Sequence, residues 1–227
     1  DLHSFPTRRS SDLEPEAEDQ LQGLLAAFLV TEGRSASVFG TGDLPWGGSA
    51  LAADSDALQW RHAEEAKAGL LRMPERSRRQ QEAFAAGFRR YMSDVPQRVP
   101  SWAPTVEPWH PLALVRMELW AFNIHDGMQS CLQDDVADKS TNASAPPASN
   151  AWVIAARRTV DGRTLLLSDP HGDIDGSPFY EFTMKAGALD IGGYAMGSAL
   201  VLTHSADVAW GLTTGGPRPV LDRKSVV

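Results

Sequence analysis

The chain has 227 residues, a formal net charge of −8 and 42% hydrophobic residues. This acidic balance argues against nucleic acid or an anionic membrane surface as a partner. The single cysteine, Cys131, excludes a disulfide framework within the chain. No run of residues is long and apolar enough to span a membrane. Seven tryptophans and the hydrophobic fraction are sufficient for a core in one or two domains.

Both ends of the sequence are expected to be foreign to the protein. Residues 1–13 (DLHSFPTRRSSDL) and residues 222–227 (DRKSVV) match translations of sequencing adapters. A basic, serine-rich tail is the alternative for the first segment. We therefore expect residues 14–221 to be a fragment of a longer protein, in which a missing signal peptide carries no information.

Residues 14–128 have patterns typical of helices. Asp54 or Ser55 can accept from the free amides of a first helical turn, as an N-cap does. Pro74 and Pro111 mark the starts of two further helices. The predicted helices cover residues 14–30, 56–71, 74–92 and 111–126, with a Gly- and Ser-rich loop over residues 33–50.

Residues 129–148 are polar and end in prolines, which is typical of a linker or of a spacer that is excised. Residues 149–221 have the pattern of β hairpins. Asp161-Gly162 is a hairpin turn signal because glycine tolerates a positive φ. Helices followed by hairpins predict an α+β fold. The predicted strands cover residues 152–156, 164–168, 199–203 and 208–213, with a polar loop over 169–181 and a Gly-rich stretch over 187–198.

Ser149 stands where the polar spacer meets the first predicted strand. A serine hydroxyl holds its proton at neutral pH and needs an adjacent base to act as a nucleophile. An N-terminal serine can use its own α-amine, whose ordinary pKa of about 7.7–8.0 allows it to accept a proton. That chemistry requires cleavage between Ala148 and Ser149.

The segment Ser149-Asn150-Ala151-Trp152 resembles the start of the β-chain of the penicillin acylase family, which belongs to the N-terminal nucleophile hydrolases. Asp169-Pro170-His171 resembles a triplet of that family, and His171 is the twenty-third residue counted from Ser149. Further resemblances, in the family's order, are Phe84 to Tyr91, Pro108-Trp109-His110-Pro111, Tyr180-Glu181, His204, and Ala209 to Gly215.

The resemblance implies a four-layer αββα sandwich, with residues 14–128 as the end of the α-chain and 149–221 as the start of the β-chain. It implies that Ser149 is the nucleophile with its α-amine as base. It places His171 beside the nucleophile, as in cephalosporin acylases and acyl-homoserine lactone acylases. It assigns the backbone amide of Thr214 to the oxyanion hole. Supporting positions are Asn150, Trp152, Asp169, His204 and Trp210.

The implied activity is hydrolysis of small N-acylated amides, such as acyl-homoserine lactones or β-lactams, by α and β chains cut from one precursor. The implied location is periplasmic or secreted. No cofactor is expected, and most ligands of the family's structural calcium would lie outside the sequence. So would a second oxyanion donor, so we expect the fragment alone to be inactive. Ala148 replaces a glycine usual in the family, which predicts slower self-cleavage.

Two alternatives remain open. A conventional Ser-His-Asp hydrolase could use Ser149 and His171 in an uncut chain, although Ser149 lacks a G-x-S-x-G context. A non-catalytic binding protein could retain the fold, with Asp169-Pro170-His171 as a plain turn. For single side chains, core or capping roles are expected at His62, His110, His125, His204, Trp152 and Trp210.

Overall fold

The computed structural model of the chain describes residues 14–121, 149–171 and 180–213. Helices occupy the first range and antiparallel strands the other two, which confirms the α+β class. The chain divides into two compact units between Leu114 and Val115. The helices are α1 (Glu14–Thr31), α2 (Ala36–Phe39), α3 (Ala50–Gln59), α4 (His62–Arg72), α5 (Glu75–Asp94) and α6 (His110–Trp120). The strands are β1 (Ser149–Ile154), β2 (Leu165–Pro170), β3 (Tyr180–Ala186), β4 (Leu189–Met196), β5 (Ala199–Ser205) and β6 (Ala209–Trp210).

Aromatic side chains form the centre of the helical unit. Phe28 on α1 and Phe84 and Phe88 on α5 are fully buried. Phe28 meets Phe88 edge to face with ring centroids 5.7 Å apart, a geometry that aromatic pairs favour. The four-residue spacing of Phe84 and Phe88 places both rings on the buried face of α5.

Asp54 was expected to cap its own helix, and this prediction is wrong. Asp54 lies inside α3, and Ser49 is the N-cap of that helix. The buried Asp54 carboxylate instead accepts from the backbone amides of Ser35 and Ala36, each at 2.8 Å. These amides begin α2, whose first turn would otherwise lack acceptors. Asp54 thus caps a neighbouring helix, which only the tertiary structure reveals.

The helix predicted over residues 56–71 is two helices, α3 and α4. Arg61 separates them with a left-handed backbone conformation, φ 54°. Leu58, near the end of α3, is 58% exposed. The loop predicted over residues 33–50 also contains the short helix α2. The predicted end of the helix over residues 111–126 and the whole spacer lie outside the described residues.

The strands form two antiparallel sheets, β1-β2 and β3-β4-β5-β6. The predicted hairpin is present, but its tight turn at Asp161-Gly162 is not: residues 155–164 connect Ile154 to its partner Leu165 and include a 3-10 helix at Ala156–Arg158. Gly162 has φ 69° within this connection. The loop predicted over 169–181 is shorter, since β2 reaches Pro170 and β3 begins at Tyr180. The Gly-rich stretch over 187–198 is largely strand β4. Its Gly193 lies so close to the Leu202 carbonyl that any Cβ would collide with it.

Candidate functional site

Ser149 is the first residue of β1 and lies opposite Pro170, the last residue of β2. The next pair in the ladder is Asn150 with Asp169. Because the strands are antiparallel, the start of β1 and the end of β2 meet at one end of the hairpin. His171 follows Pro170 directly, so the spacing in the sequence becomes proximity in space. The structure brings together Ser149, Asn150, Asp169 and His171.

Two side chains converge on the Nε2 atom of His171. The Asn150 Nδ2 atom lies 3.0 Å away, and the Asp169 Oδ2 atom lies 3.1 Å away. The His171 side chain is 45% exposed and that of Asp169 is 55% exposed. The imidazole is thus held by polar neighbours while it remains accessible to water and to solutes.

A third segment, Gly211 to Thr213, lies against the same hairpin. The Thr213 hydroxyl donates to the Ser149 carbonyl oxygen at 2.9 Å. A Cβ on Gly211 would lie 2.5 Å from the Ser168 Oγ and 3.7 Å from the Ala151 Cβ. The chain after β6 is therefore in close contact with β1 and β2. Sequence reasoning did not identify Thr213, although its position beside Thr214 was a usable signal.

The remaining predicted site residues are not gathered at this end of the hairpin, or lie outside the described residues. Ala148 and Thr214 belong to the second group. His204 lies on β5 and pairs with Gly192 and Ala209. Trp152 and Trp210 were expected in the core, but their side chains are 62% and 37% exposed. The Trp210 indole N–H donates to the Leu200 carbonyl at 3.2 Å, which ties it to the sheet.

The predicted structural role of His110 is confirmed. Its side chain is fully buried, and its Nδ1 accepts from the Glu107 backbone amide at 2.8 Å. Its Nε2 lies 2.9 Å from Glu32 Oε1. Burial opposes ionisation of Glu32, but hydrogen bonds from His110 and Arg34 outweigh it and lower the pKa of this carboxyl.

His62 is also buried, in the first turn of α4, while His125 lies outside the described residues. Within the described ranges, no group of three His, Cys, Asp or Glu side chains could hold a metal ion. None of the described helices is long and apolar enough to cross a membrane.

Residues 16–220 match the family model of penicillin amidase. This match covers most of the chain, and the chain belongs to the penicillin amidase family. The hairpin that carries Ser149 and His171 lies inside the matched region. Membership supports a hydrolase that acts on amide bonds. The comparison with curated proteins returned no match.

Proposed function

We propose that the chain carries the nucleophile of an amidase, the hydroxyl of Ser149, released as an N-terminal residue by self-cleavage. The observation that carries the proposal is the position of Ser149 at the first rung of the β1–β2 ladder, beside His171. The 2.9 Å bond from Thr213 to the Ser149 carbonyl supports it, because a nucleophile must be held in one geometry. Membership of the penicillin amidase family supports the reaction class.

Self-cleavage would proceed by an N→O acyl shift. The Ser149 hydroxyl attacks the Ala148 carbonyl carbon, and the bond from that carbon to the Ser149 nitrogen breaks. The nitrogen takes up a proton and becomes an α-amine, while Ala148 is held as an ester on Ser149. Water then hydrolyses the ester and releases the Ala148 carboxylate. The product carries a free hydroxyl and a free amine on one residue.

Turnover would use both groups of Ser149. The α-amine removes the hydroxyl proton as the oxygen attacks the amide carbon of the substrate. The Thr214 backbone amide would donate to the developing oxyanion, and one such donor contributes about 3–4 kcal/mol of transition-state stabilisation. The amine then protonates the leaving nitrogen, and water hydrolyses the acyl-enzyme to release the acid.

The substrate class we propose is a small N-acylated amide, with acyl-homoserine lactones and β-lactams as the first compounds to test. The support is His171, which the sequence shares with the acylases of those substrates. A periplasmic or secreted location is part of the same proposal.

The test is intact mass and N-terminal sequencing of the purified protein. We expect a new chain beginning Ser149-Asn150, and we expect Ser149→Ala to stay uncut. Ser168→Ala is the matched control, because it removes a hydroxyl from the same hairpin and should still be cut. An Ala148→Gly variant should be cut faster. The proposal is wrong if Ser149→Ala is cut at the same bond, or if the folded Ala148→Gly chain stays whole.

A Ser-His-Asp hydrolase is the second candidate, and one distance favours it. Asp169 Oδ2 lies 3.1 Å from a nitrogen of His171, as an orienting carboxylate does in a triad. In the usual arrangement the carboxylate meets Nδ1, whereas here it meets Nε2. This candidate predicts an uncut chain that reacts with serine-directed acylating reagents. A binding protein with this fold predicts neither cleavage nor labelling.

A further inference from the structure

The Nε2 atom of His171 lies between a hydrogen-bond donor and a hydrogen-bond acceptor. Asn150 Nδ2 can only donate a hydrogen bond, and an ionised Asp169 carboxylate can only accept one. The Nε2 atom donates when it carries a proton and accepts when it does not. It therefore cannot bond both neighbours in these orientations at once. Whether Nε2 carries the proton therefore depends on which of the two neighbours it bonds.

We infer that Asp169 is a positioning residue that selects the tautomer of His171 with the proton on Nε2. A hydrogen bond to an ionised acceptor is about twice as strong as one between neutral groups. Asp169 therefore prevails over the Asn150 amide, which can rotate to present its oxygen. The nitrogen that carries the proton in a neutral imidazole is set by such a bond.

The backbone fixes the geometry on which this selection depends. Asn150 and Asp169 are cross-strand partners on β1 and β2, so their side chains project from one rung of the ladder. His171 follows two residues after Asp169, and Pro170 between them restricts the backbone. Both Asp169 and His171 are about half exposed, so the selection is a partial shift of the proton and not a complete one.

The consequence for the reaction rests on the function proposed for Ser149. With the proton on Nε2, the lone pair of the ring is on Nδ1. His171 can then accept a hydrogen bond at Nδ1 while Nε2 is anchored to Asp169. A ring with the proton on Nδ1 would present a donor instead. Asp169 thus shifts the His171 ring towards the tautomer whose Nδ1 accepts a hydrogen bond near the nucleophile.

The experiment is nitrogen NMR of the chain labelled with ¹⁵N-histidine, in which the chemical shifts of the two ring nitrogens report the tautomer. All variants carry Ser149→Ala, so that the result does not depend on self-cleavage. A His171→Gln variant identifies the His171 signals among the six histidines. Spectra are recorded at a pH where the His171 ring is neutral.

Asp169→Asn keeps the shape of the side chain and removes its charge. We expect this change to move the His171 proton from Nε2 towards Nδ1. Asp190→Asn is the matched control, since Asp190 is an exposed carboxylate that pairs with Lys185 at 3.1 Å on another hairpin. The control should leave the His171 shifts unchanged. Unchanged His110 signals show that the variants are folded.

The inference is overturned if folded Asp169→Asn gives the same tautomer ratio as its parent. That result would leave the proposed function standing, because N-terminal sequencing tests Ser149 separately. The converse outcome is that Asp169→Asn shifts the tautomer, while the chain with Ser149 intact is never cut at that residue. It would support the role of Asp169 at His171 and remove the proposed function.

Discussion

The hydroxyl of Thr213 donates to the carbonyl of Ser149 at 2.9 Å, across 64 positions of sequence. The residue opposite Ser149 in the ladder is Pro170, which has no backbone N–H to donate. Thr213 therefore supplies a donor that the cross-strand partner cannot. The first residue of β1 is fixed from a third segment of the chain, independently of the hairpin.

Replacing Thr213 by valine removes this donor and keeps the shape of the side chain. We expect a loss of about 1 kcal/mol in the free energy of unfolding, the usual contribution of one hydrogen bond. We also expect slower cleavage at Ser149, because the strand end is less well held. Urea unfolding and the rate of appearance of the new N-terminus measure the two effects. Thr183→Val, at an exposed position of β3, is the control. Equal losses of stability and equal cleavage rates in the two variants would contradict the prediction.

Gly211→Ala tests the close contact between the segment after β6 and the hairpin. The new Cβ would lie 2.5 Å from the Ser168 Oγ and 2.9 Å from its Cβ, so one side must move. We expect a loss of about 1–3 kcal/mol in the free energy of unfolding, typical of overpacking. Gly211→Ala should also slow the cleavage at Ser149. Adding Ser168→Gly removes both clashing atoms and should restore part of that cleavage rate.

Gly69→Ala is the control for that prediction, because nothing lies within 4 Å of a Cβ at Gly69 in α4. We expect it to be neutral or to stabilise by up to about 1 kcal/mol, since alanine favours a helix over glycine. A Gly211→Ala protein as stable as Gly69→Ala would show that the segment can shift freely.

His110→Phe keeps a buried ring that can stack on Trp109, whose centroid lies 3.9 Å from that of His110. It leaves the Glu107 amide and the Glu32 carboxylate without their imidazole partner. We expect a loss of about 2–4 kcal/mol in the free energy of unfolding, as for other buried polar groups that lose a partner. A thermal or urea melt that matches the parent would contradict this.

Glu32→Gln isolates the charge in that network. Because the pKa of Glu32 is lowered in the folded state, its ionisation stabilises the protein above the ordinary value of 4.5. This contribution is lost as the pH falls through the folded-state pKa. We expect the variant to show a shallower loss of stability on the acid side of pH 4.5. Glu64→Gln, the same change at an exposed site on α4, is the control.

The contribution of Glu118 to stability is expected to depend on pH in the opposite direction to that of Glu32. Burial raises its pKa from 4.5 to about 7, so the unfolded chain loses this proton before the folded one does. Stability should therefore fall as the pH rises from about 4.5 to about 7, and then level off. Glu118→Gln should remove this fall and gain about 1–3 kcal/mol over the parent at about pH 8, with no gain at about pH 4. Urea midpoints at the two pH values measure it.

The hairpin of β1 and β2 could be predicted because its signals are local. The strand-like runs on each side of Asp161-Gly162 indicate the hairpin but not its register, since a two-residue turn there would pair Leu165 with Arg158. In the structure Leu165 lies opposite Ile154, and the ladder continues to Ser149 opposite Pro170. The proximity of Ser149 and His171 follows from that register. Thr213 could not be placed in the same way, because its contact with Ser149 depends on the path of a different sheet.

The errors in the sequence prediction come from tertiary contacts that override local patterns. The Gly-rich stretch gave no strand signal, but it is largely β4, and its Gly193 is required where the Leu202 carbonyl on β5 passes too closely for a side chain. Aspartate is a common helix cap, and Asp54 acts as one, but for α2: it accepts from the amide of Ala36, which is 18 positions away in the sequence. The left-handed turn at Arg61 has no residue-level signal, since arginine seldom adopts a positive φ.

The described rungs of the β1–β2 ladder run from Ser149 with Pro170 to Ile154 with Leu165. All of them lie on the carboxyl side of the bond between Ala148 and Ser149. New chain ends usually fray, but this one would begin as a paired residue with its carbonyl tied to Thr213. Cutting the bond would cost the hairpin no pairing. The residue that bears the liberated amine would already be paired with Pro170 and bonded to Thr213.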